Sequence, residues 1–405
     1  MHERCIRCES CGREYPPGKA INRCVSCNAS LEVVFDYARL RKSLSLSKLR
    51  SRPFTHSRYI ELYPVREAVS LGEGGTPLLR SRNLEKELSL RFELWFKLES
   101  QNPTGSFKDR GSSVEISRAV QALAGSASPG KGSRKPVVAV ASTGNMGASL
   151  SAYSAVAGLM CHVFTPGDAR VVKLRQMLAY GARVHRISGD YTEAASLVER
   201  ACREQGIYLL GDYLFRREGT KSVGLELADQ LPGITHVYCP VGNGTLVSAV
   251  WKAFREWKLL RFSGSLPKMA GIQASGCSPL TDAFRSGRPL TPVKGKTIAT
   301  AIECGSPLDG SRALSAVRES GGLSDSVTDK EILKARTLLA CREGIFAEPA
   351  GAVSLAGLIK SRSMVAPGSR VVCLVTGHGL KAPHTPIEGK VEMLGKGSSL
   401  DRAFR

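Results

Sequence analysis

Glu99-Ser100-Gln101-Asn102-Pro103-Thr104-Gly105-Ser106-Phe107-Lys108-Asp109-Arg110-Gly111 joins a strand-like run to a helical one. The run before it is Leu94-Trp95-Phe96-Lys97-Leu98, and a helical pattern follows over about 109–123. Lys108 therefore stands at a helix start, where the macrodipole already places partial positive charge and a second cation is disfavoured. A lone lysine in a loop is most often a solvated surface residue. Here small residues flank the segment and the neighbours look buried, a setting in which an amine loses basicity and serves as a nucleophile.

Outward from this stretch the chain alternates. Strand-like runs at 137–141, 161–164, 183–187, 208–210, 236–241, 270–274 and 370–375 are interleaved with helical patterns. The helical patterns cover 147–157, 173–179, 192–204, 247–258, 330–342 and 352–360. Continuous apolar strands separated by helices call for parallel sheets covered on both faces. At 405 residues the chain exceeds what one core supports, so more than one domain is expected. Residues 37–69 read as a basic, partly helical linker, and those past 387 as a tail.

Composition sets limits on function. Hydrophobic content of 42% and charged content of 23% are those of an ordinary soluble protein. There is no apolar run of about 18 residues, and Met1-His2-Glu3-Arg4-Cys5 lacks a signal-peptide core, so a cytoplasmic location without membrane partners is expected. The formal charge of +21 invites a nucleic-acid reading, but no Lys/Arg block is interleaved with aromatics. A basic solvated surface is the expectation, with attraction of a phosphorylated substrate as a secondary consequence.

Five of the twelve cysteines crowd into the first 27 residues, and the other seven lie singly in apolar or helical contexts, as small core residues do. Cys8-x2-Cys11 and Cys24-x2-Cys27, separated by 12 residues, have the spacing of four thiolates around one structural zinc. A unit of about 38 residues needs such a metal, because core burial alone does not fold it. Cys5 offers an alternative partner three residues before Cys8. Cys8 is preferred, because its knuckle then leads into Gly12, which relieves the turn.

Three loops follow strands, where open α/β sheets bind ligands. Ser142-Thr143-Gly144-Asn145-Met146-Gly147 would expose backbone amides at a helix N-terminus, or be an ordinary turn. Gly242-Asn243-Gly244-Thr245-Leu246 is a glycine turn suited to a phosphate monoester and matches no Walker or dinucleotide pattern. Thr376-Gly377-His378-Gly379-Leu380-Lys381 is the third; His378 there reads as a histidine satisfied by backbone rather than a general base.

The 99–111 string resembles the cofactor-lysine segment of the threonine synthase branch of fold-type II pyridoxal-phosphate enzymes. Leu71-Gly72-Glu73-Gly74-Gly75-Thr76-Pro77-Leu78, Glu348-Pro349-Ala350 and the Thr376–Lys381 string are similar to the same family. The resemblance covers most of the chain. It implies an α/β fold of two doubly wound parallel-sheet domains facing each other across the cofactor, preceded by a zinc ribbon that caps the enzyme. The implied divisions are 1–38 for the ribbon, 39–111 for the linker and the start of the large domain, 112–225 for the smaller inserted domain, 226–386 for the rest of the large domain and 387–405 for the tail.

The resemblance further implies pyridoxal 5'-phosphate carried by Lys108 as a Schiff base. Phe107, Asn145 and Thr376 would touch the cofactor, and Gly242, Asn243, Gly244, Thr245 and Leu246 would hold its phosphate. Thr104, Ser106, Ser142 and Thr143 would meet the substrate, a phosphorylated amino acid, and Glu348 would shape the cofactor wall. The implied reaction converts O-phospho-L-homoserine and water to L-threonine and phosphate.

Gly211-Asp212-Tyr213-Leu214-Phe215-Arg216-Arg217 departs from the Asn-Ser-x-Asn-Pro segment common in the family, and Thr245-Leu246 from its Gly-Asn. Arg216 or Arg217, with Arg217 favoured, is then the candidate for a substrate phosphate. A threonine or serine dehydratase and a cysteine synthase using phosphoserine are the alternatives. A nucleic-acid-binding ribbon on a retired enzyme is the non-enzymatic one, opposed by the retention of Lys108, Asn145 and Thr376. A homodimer is the ordinary expectation.

Overall fold

A computed structural model describes residues 2–19, 21–124, 135–167, 171–188 and 191–386. The expected tail, 387–405, lies outside them. The strands are β1 (Glu3–Cys8), β2 (Glu14–Tyr15), β3 (Leu31–Phe35), β4 (Leu78–Arg80), β5 (Glu93–Lys97), β6 (Val137–Ala141) and β7 (Met160–Pro166). They continue as β8 (Arg183–Ile187), β9 (Tyr208–Leu209), β10 (His236–Pro240), β11 (Lys268–Ala274), β12 (Leu323–Val327) and β13 (Arg370–Leu374). They form three sheets, ordered β2-β1-β3, β12-β11-β10-β13-β5-β4 and β8-β7-β6-β9.

The four-stranded sheet is parallel throughout, as its apolar runs require. In the six-stranded sheet the neighbouring strands are parallel, as expected, except that the edge strand β4 runs antiparallel to β5. This strand, Leu78–Arg80, is only three residues long and is followed by the helix Arg82–Glu87. Short strands of this kind suit the edge of a sheet. The central strands of this sheet bury Val237, Cys239, Ile272, Val371 and Cys373 completely, and each of the twelve cysteines is a free thiol.

Segment 37–69 is partly helical, as expected, but it packs instead of linking. Leu40, Leu44, Leu49, Tyr59 and Leu62 join Ile6, Leu31, Val33 and Phe35 of the ribbon sheet and Trp257 of the body in one buried cluster. Each such side chain contributes about 1.5–3 kcal/mol when fully buried. Three basic residues of the segment are in ion pairs: Arg50 and Arg58 both bind Asp229, and Arg52 binds Glu61. Helices at Leu214–Thr220, Ser222–Gln230, Pro279–Ser286 and Gly310–Glu319 were not expected from the sequence. The first two are short and carry charge on buried positions: Arg216, Glu218 and Glu226, with Lys221 between the helices, are all buried.

Those buried charges are paired. Arg110 donates to both oxygens of Glu99 at 2.6 and 2.7 Å and to both oxygens of Glu226 at 2.6 and 2.9 Å. Lys97 reaches Glu226 at 2.6 Å. Beside them His56 is buried, stacked on Tyr63 and bonded to Ser222 Oγ at 3.0 Å, and its Nε2 has no partner. Burial pushes the imidazole down to about 4 from its ordinary 6.5.

Arg110→Met strands Glu99 and Glu226 in the interior, and chemical unfolding should show a loss of about 3–5 kcal/mol. The His56 contribution has its own sign. Below pH 6.5 the unfolded chain takes up a proton that the folded chain refuses until about 4. Stability is thus fully present above 6.5 and falls by about 3 kcal/mol across that window. His56→Gln should flatten that part of the stability–pH curve.

Candidate functional site

Lys108 is the first residue of its helix, Lys108–Leu123, one residue earlier than the sequence pattern suggests. Phe107 precedes it without a side-chain cap; its backbone N–H donates to Thr376 O at 3.1 Å. Ser106 pairs with Gly377 as an isolated β-bridge. The lysine thus sits against the 376–381 loop at the C-terminal end of β13. Lys108 Nζ lies 4.8 Å from the centre of the Phe107 ring and 3.4 Å from Asp212 Oδ1.

Asp212 organises this corner. Its Oδ2 accepts from Asn243 Nδ2 at 2.7 Å, so one carboxylate joins the lysine to the glycine turn after β10. Burial opposes its ionisation, but Lys108 and then Arg216 outweigh burial and hold the carboxyl below its ordinary range. Sequence reasoning gave Asp212 no role, although its place just past the C-terminal end of β9 is a signal for one.

The glycine turn leads into the Thr245–Leu259 helix, which no side chain caps and whose first turn carries no acidic residue. Gly244 has φ of +88° and a Cβ there would lie 2.8 Å from Asp309 O; at Gly242 it would lie 3.0 Å from Ile302 Cα. Only glycine fits both conditions at 244. Thr245 and Leu246 belong to the helix itself, and Leu246 packs into the core. Thr245 Oγ1 is buried without a partner. Uncapped amides at a helix N-terminus, with an unpaired hydroxyl beside them, suit an anion.

Asn145 likewise begins a helix, Asn145–Val156, whose turn is held by Ser142 Oγ accepting from Gly147 N at 2.9 Å. Thr143 is half-buried in that turn. Asn145 Nδ2 donates to Glu348 Oε1 at 2.6 Å, and its Oδ1 is buried with no partner. Lys173, which the sequence did not single out, pairs with Glu348 Oε2 at 3.2 Å. Lys381 donates to Thr104 O at 2.7 Å and Gln176 Oε1 at 2.6 Å, and burial pushes its ammonium down to about 8. His378 Nδ1 accepts from Leu380 N at 3.2 Å, a backbone-satisfied arrangement.

Most of the other expected residues are engaged by partners within the fold. Thr104 gives its backbone N–H and its hydroxyl to Asp109 at 2.7 and 2.6 Å, which fixes the approach to Lys108. Ser106 Oγ is buried without a partner. Arg216 binds Glu115 and donates to Lys108 O at 3.3 Å. Arg217 binds Glu9 of the ribbon at 3.0 Å.

In the ribbon, the Sγ atoms of Cys8, Cys11, Cys24 and Cys27 all lie within 4.8 Å of one another. Cys8 and Cys27 are 3.5 Å apart, and Cys11 and Cys24 are 3.6 Å apart. Four sulfurs at Zn–S distances of about 2.3 Å stand about 3.8 Å apart, so the cluster is compatible with a zinc site. Cys5 is not part of it.

Residues 69–377 match the pyridoxal-phosphate dependent enzyme family. A threonine synthase of Methanocaldococcus jannaschii is 43% identical over 97% of this chain and 96% of its own. One of Methanosarcina acetivorans is 42% identical over 95% and 93%. Among solved structures, an L-serine ammonia-lyase from Rhizomucor miehei overlays with a TM-score of 0.65 at 20% identity, covering 77% of this chain and 95% of that one, a likeness of fold. Identity of this depth, running through the ribbon as well as the sheets, means that the chain belongs to the threonine synthase family of pyridoxal-phosphate dependent enzymes.

Proposed function

We propose that the chain converts O-phospho-L-homoserine and water to L-threonine and phosphate. The observation that carries this is the 43% identity to a threonine synthase across 97% of the chain. The site supports it with an amine, an anion-ready helix start and a carboxylate that joins them. The residues fit pyridoxal phosphate. Lys108 offers the amine for its aldehyde, the turn from Gly242 to Leu246 offers amides for its phosphate, and the unpaired Asn145 Oδ1 and Thr245 Oγ1 are polar atoms awaiting a partner.

When bound, the cofactor supplies an electron sink beside the substrate's amino group. Lys108 Nζ takes a proton from the substrate's Cα and returns protons later. Asp212, 3.4 Å away, holds that amine in place. Phe107 and Thr376 would wall the cofactor, and the linked Glu348, Asn145 and Lys173 would hold its ring. Ser142 and Thr143 present their turn to the substrate's carboxylate, and Thr104 and Ser106 set its approach. Arg217, whose Nε has no hydrogen-bond partner, is the candidate for its phosphate. Residues 112–225, which include the four-stranded sheet, act as the smaller unit inserted between 39–111 and 226–386. The 1–38 ribbon holds structural zinc. Among the described residues no helix is long and apolar enough to cross a membrane, and a cytoplasmic enzyme is the reading adopted here.

Purified protein given O-phospho-L-homoserine should release phosphate and threonine in equal amounts; ammonia or sulfide-dependent cysteine in their place would reassign the substrate. Lys108→Ala should abolish turnover and the visible absorption band, and undiminished threonine formation would refute the assignment. Metal analysis should find one zinc per chain, and Cys24→Ser should lose it, with about a tenfold or greater fall in metal affinity.

A further inference from the structure

Glu9 lies inside the Cys8–Cys11 knuckle without being one of its sulfur ligands. Its carboxylate is shared by two arginines of the catalytic body. Oε1 is 3.0 Å from Arg217 Nη1, and Oε2 accepts from Arg312 Nε. Both guanidiniums are buried, the side chains being 3% and 5% exposed. Arg312 also donates from Nη2 to Leu31 O, so the ribbon grips it at two points. Burial, and next the like charge of Arg217, lower the Arg312 pKa, which marks the two cations as close neighbours.

Each arginine leads directly to the site. Arg217 follows Arg216, whose Nη1 reaches Lys108 O at 3.3 Å. Arg312 lies one helical turn after Asp309, whose backbone N–H donates to Asn243 O at 2.9 Å, and Asp309 O is the atom that a Cβ at Gly244 would strike. A cavity of about 10 Å³ between ribbon and body is lined by Leu31 from one side and by Asp212, Asp309 and Arg312 from the other. The ribbon therefore forms the back wall of the corner that holds Lys108 and the glycine turn.

We propose that Glu9 is a positioning residue through which the ribbon's metal acts as an effector of cofactor binding. With the knuckle closed on its ion, the carboxylate sits between Arg217 and Arg312 and keeps the two like charges together. When the knuckle opens, the carboxylate withdraws, the arginines repel, and Arg312 pulls on Asp309 and the glycine turn. This rests on the assignment of Lys108 and that turn to pyridoxal phosphate.

The test is a cycle of two perturbations, Glu9→Gln and removal of zinc by a chelator, read by titrating pyridoxal phosphate against the visible band of the full chain. Stripping the wild type should weaken cofactor binding about tenfold, a coupling typical of contacting groups. Glu9→Gln should show the same loss with zinc content unchanged, and stripping it should add less than about twofold. A wild type indifferent to stripping, a zinc-loaded Glu9→Gln that binds like wild type, or equal responses in both proteins would overturn the proposal. If Glu9→Gln does not fold, Glu9→Gln with Arg217→Gln removes one of the opposed charges and should be equally insensitive to zinc.

A second readout needs no cofactor. Amide exchange at 243–245 and 310–313 should rise on stripping the wild type and should not respond to zinc in Glu9→Gln. Wild type lacking a Lys108-dependent band would sink the proposed function alone, leaving exchange to decide the role of Glu9; unchanged exchange would end that as well.

Discussion

Four buried charges, Lys97, Glu99, Arg110 and Glu226, hold Lys108 where it is. Arg110 is two residues past Lys108, in the first turn of the same helix, and its guanidinium is saturated by Glu99, Glu226, Thr76 and Ser222. Those partners come from the end of β5, the Ser222–Gln230 helix and the entry turn. Two positive and two negative groups cancel, which is how an interior tolerates them. The entry turn is part of the same lock. Gly75 N–H donates to Glu226 at 2.8 Å, and a Cβ at Gly74 or Gly75 would fall 2.4 Å from His56 N or 2.0 Å from Phe54 O. The helix start thus cannot shift without breaking ion pairs away from water, and Lys108 inherits that rigidity.

Basic residues serve more than one purpose. Several of the arginines and lysines behind the +21 charge are internal ties: Arg58 to Asp229, Lys221 and Lys252 to Glu218, Arg216 to Glu115. Lys252 also donates to Val33 O of the ribbon at 2.6 Å, and Tyr37 to Glu256 at 3.0 Å. The ribbon and the strap that follows it are built into the body along the helix whose N-terminus faces the glycine turn. A protein with a detachable cap would show a polar, solvated seam there. This one shows buried guanidiniums, buried ammoniums and the apolar cluster around Phe35 and Trp257.

Much of the site was legible because it depends on backbone geometry, which leaves strong marks in sequence. Gly244 must be glycine, the two Cys-x2-Cys knuckles must keep their spacing, and Lys108 must follow small residues at a helix start. Asp212, Lys173 and Glu9 left no such marks. Their roles arise from partners 104, 175 and more than 200 residues away, and isolated acidic or basic residues are common on any surface. The helices at 214–220 and 222–230 are short, and each divides its buried face between apolar contacts, such as Phe215, Leu225 and Leu227, and ion pairs of Arg216, Glu218 and Glu226, a mixture that hydrophobic periodicity does not register.

What the residues alone determined was the alternation of strand and helix, the lysine at a helix start, the glycine turn after a strand and the spacing of the four cysteines, since each follows from local sterics, periodicity or ligand spacing. Packing in three dimensions decided the rest: that β4 turns back at the sheet edge, that the strap is core instead of linker, and that a carboxylate in the first cysteine knuckle meets two arginines behind the lysine. Those outcomes are contacts between residues distant along the chain, and their free energy comes from excluding water and matching charge, which no stretch of sequence contains by itself.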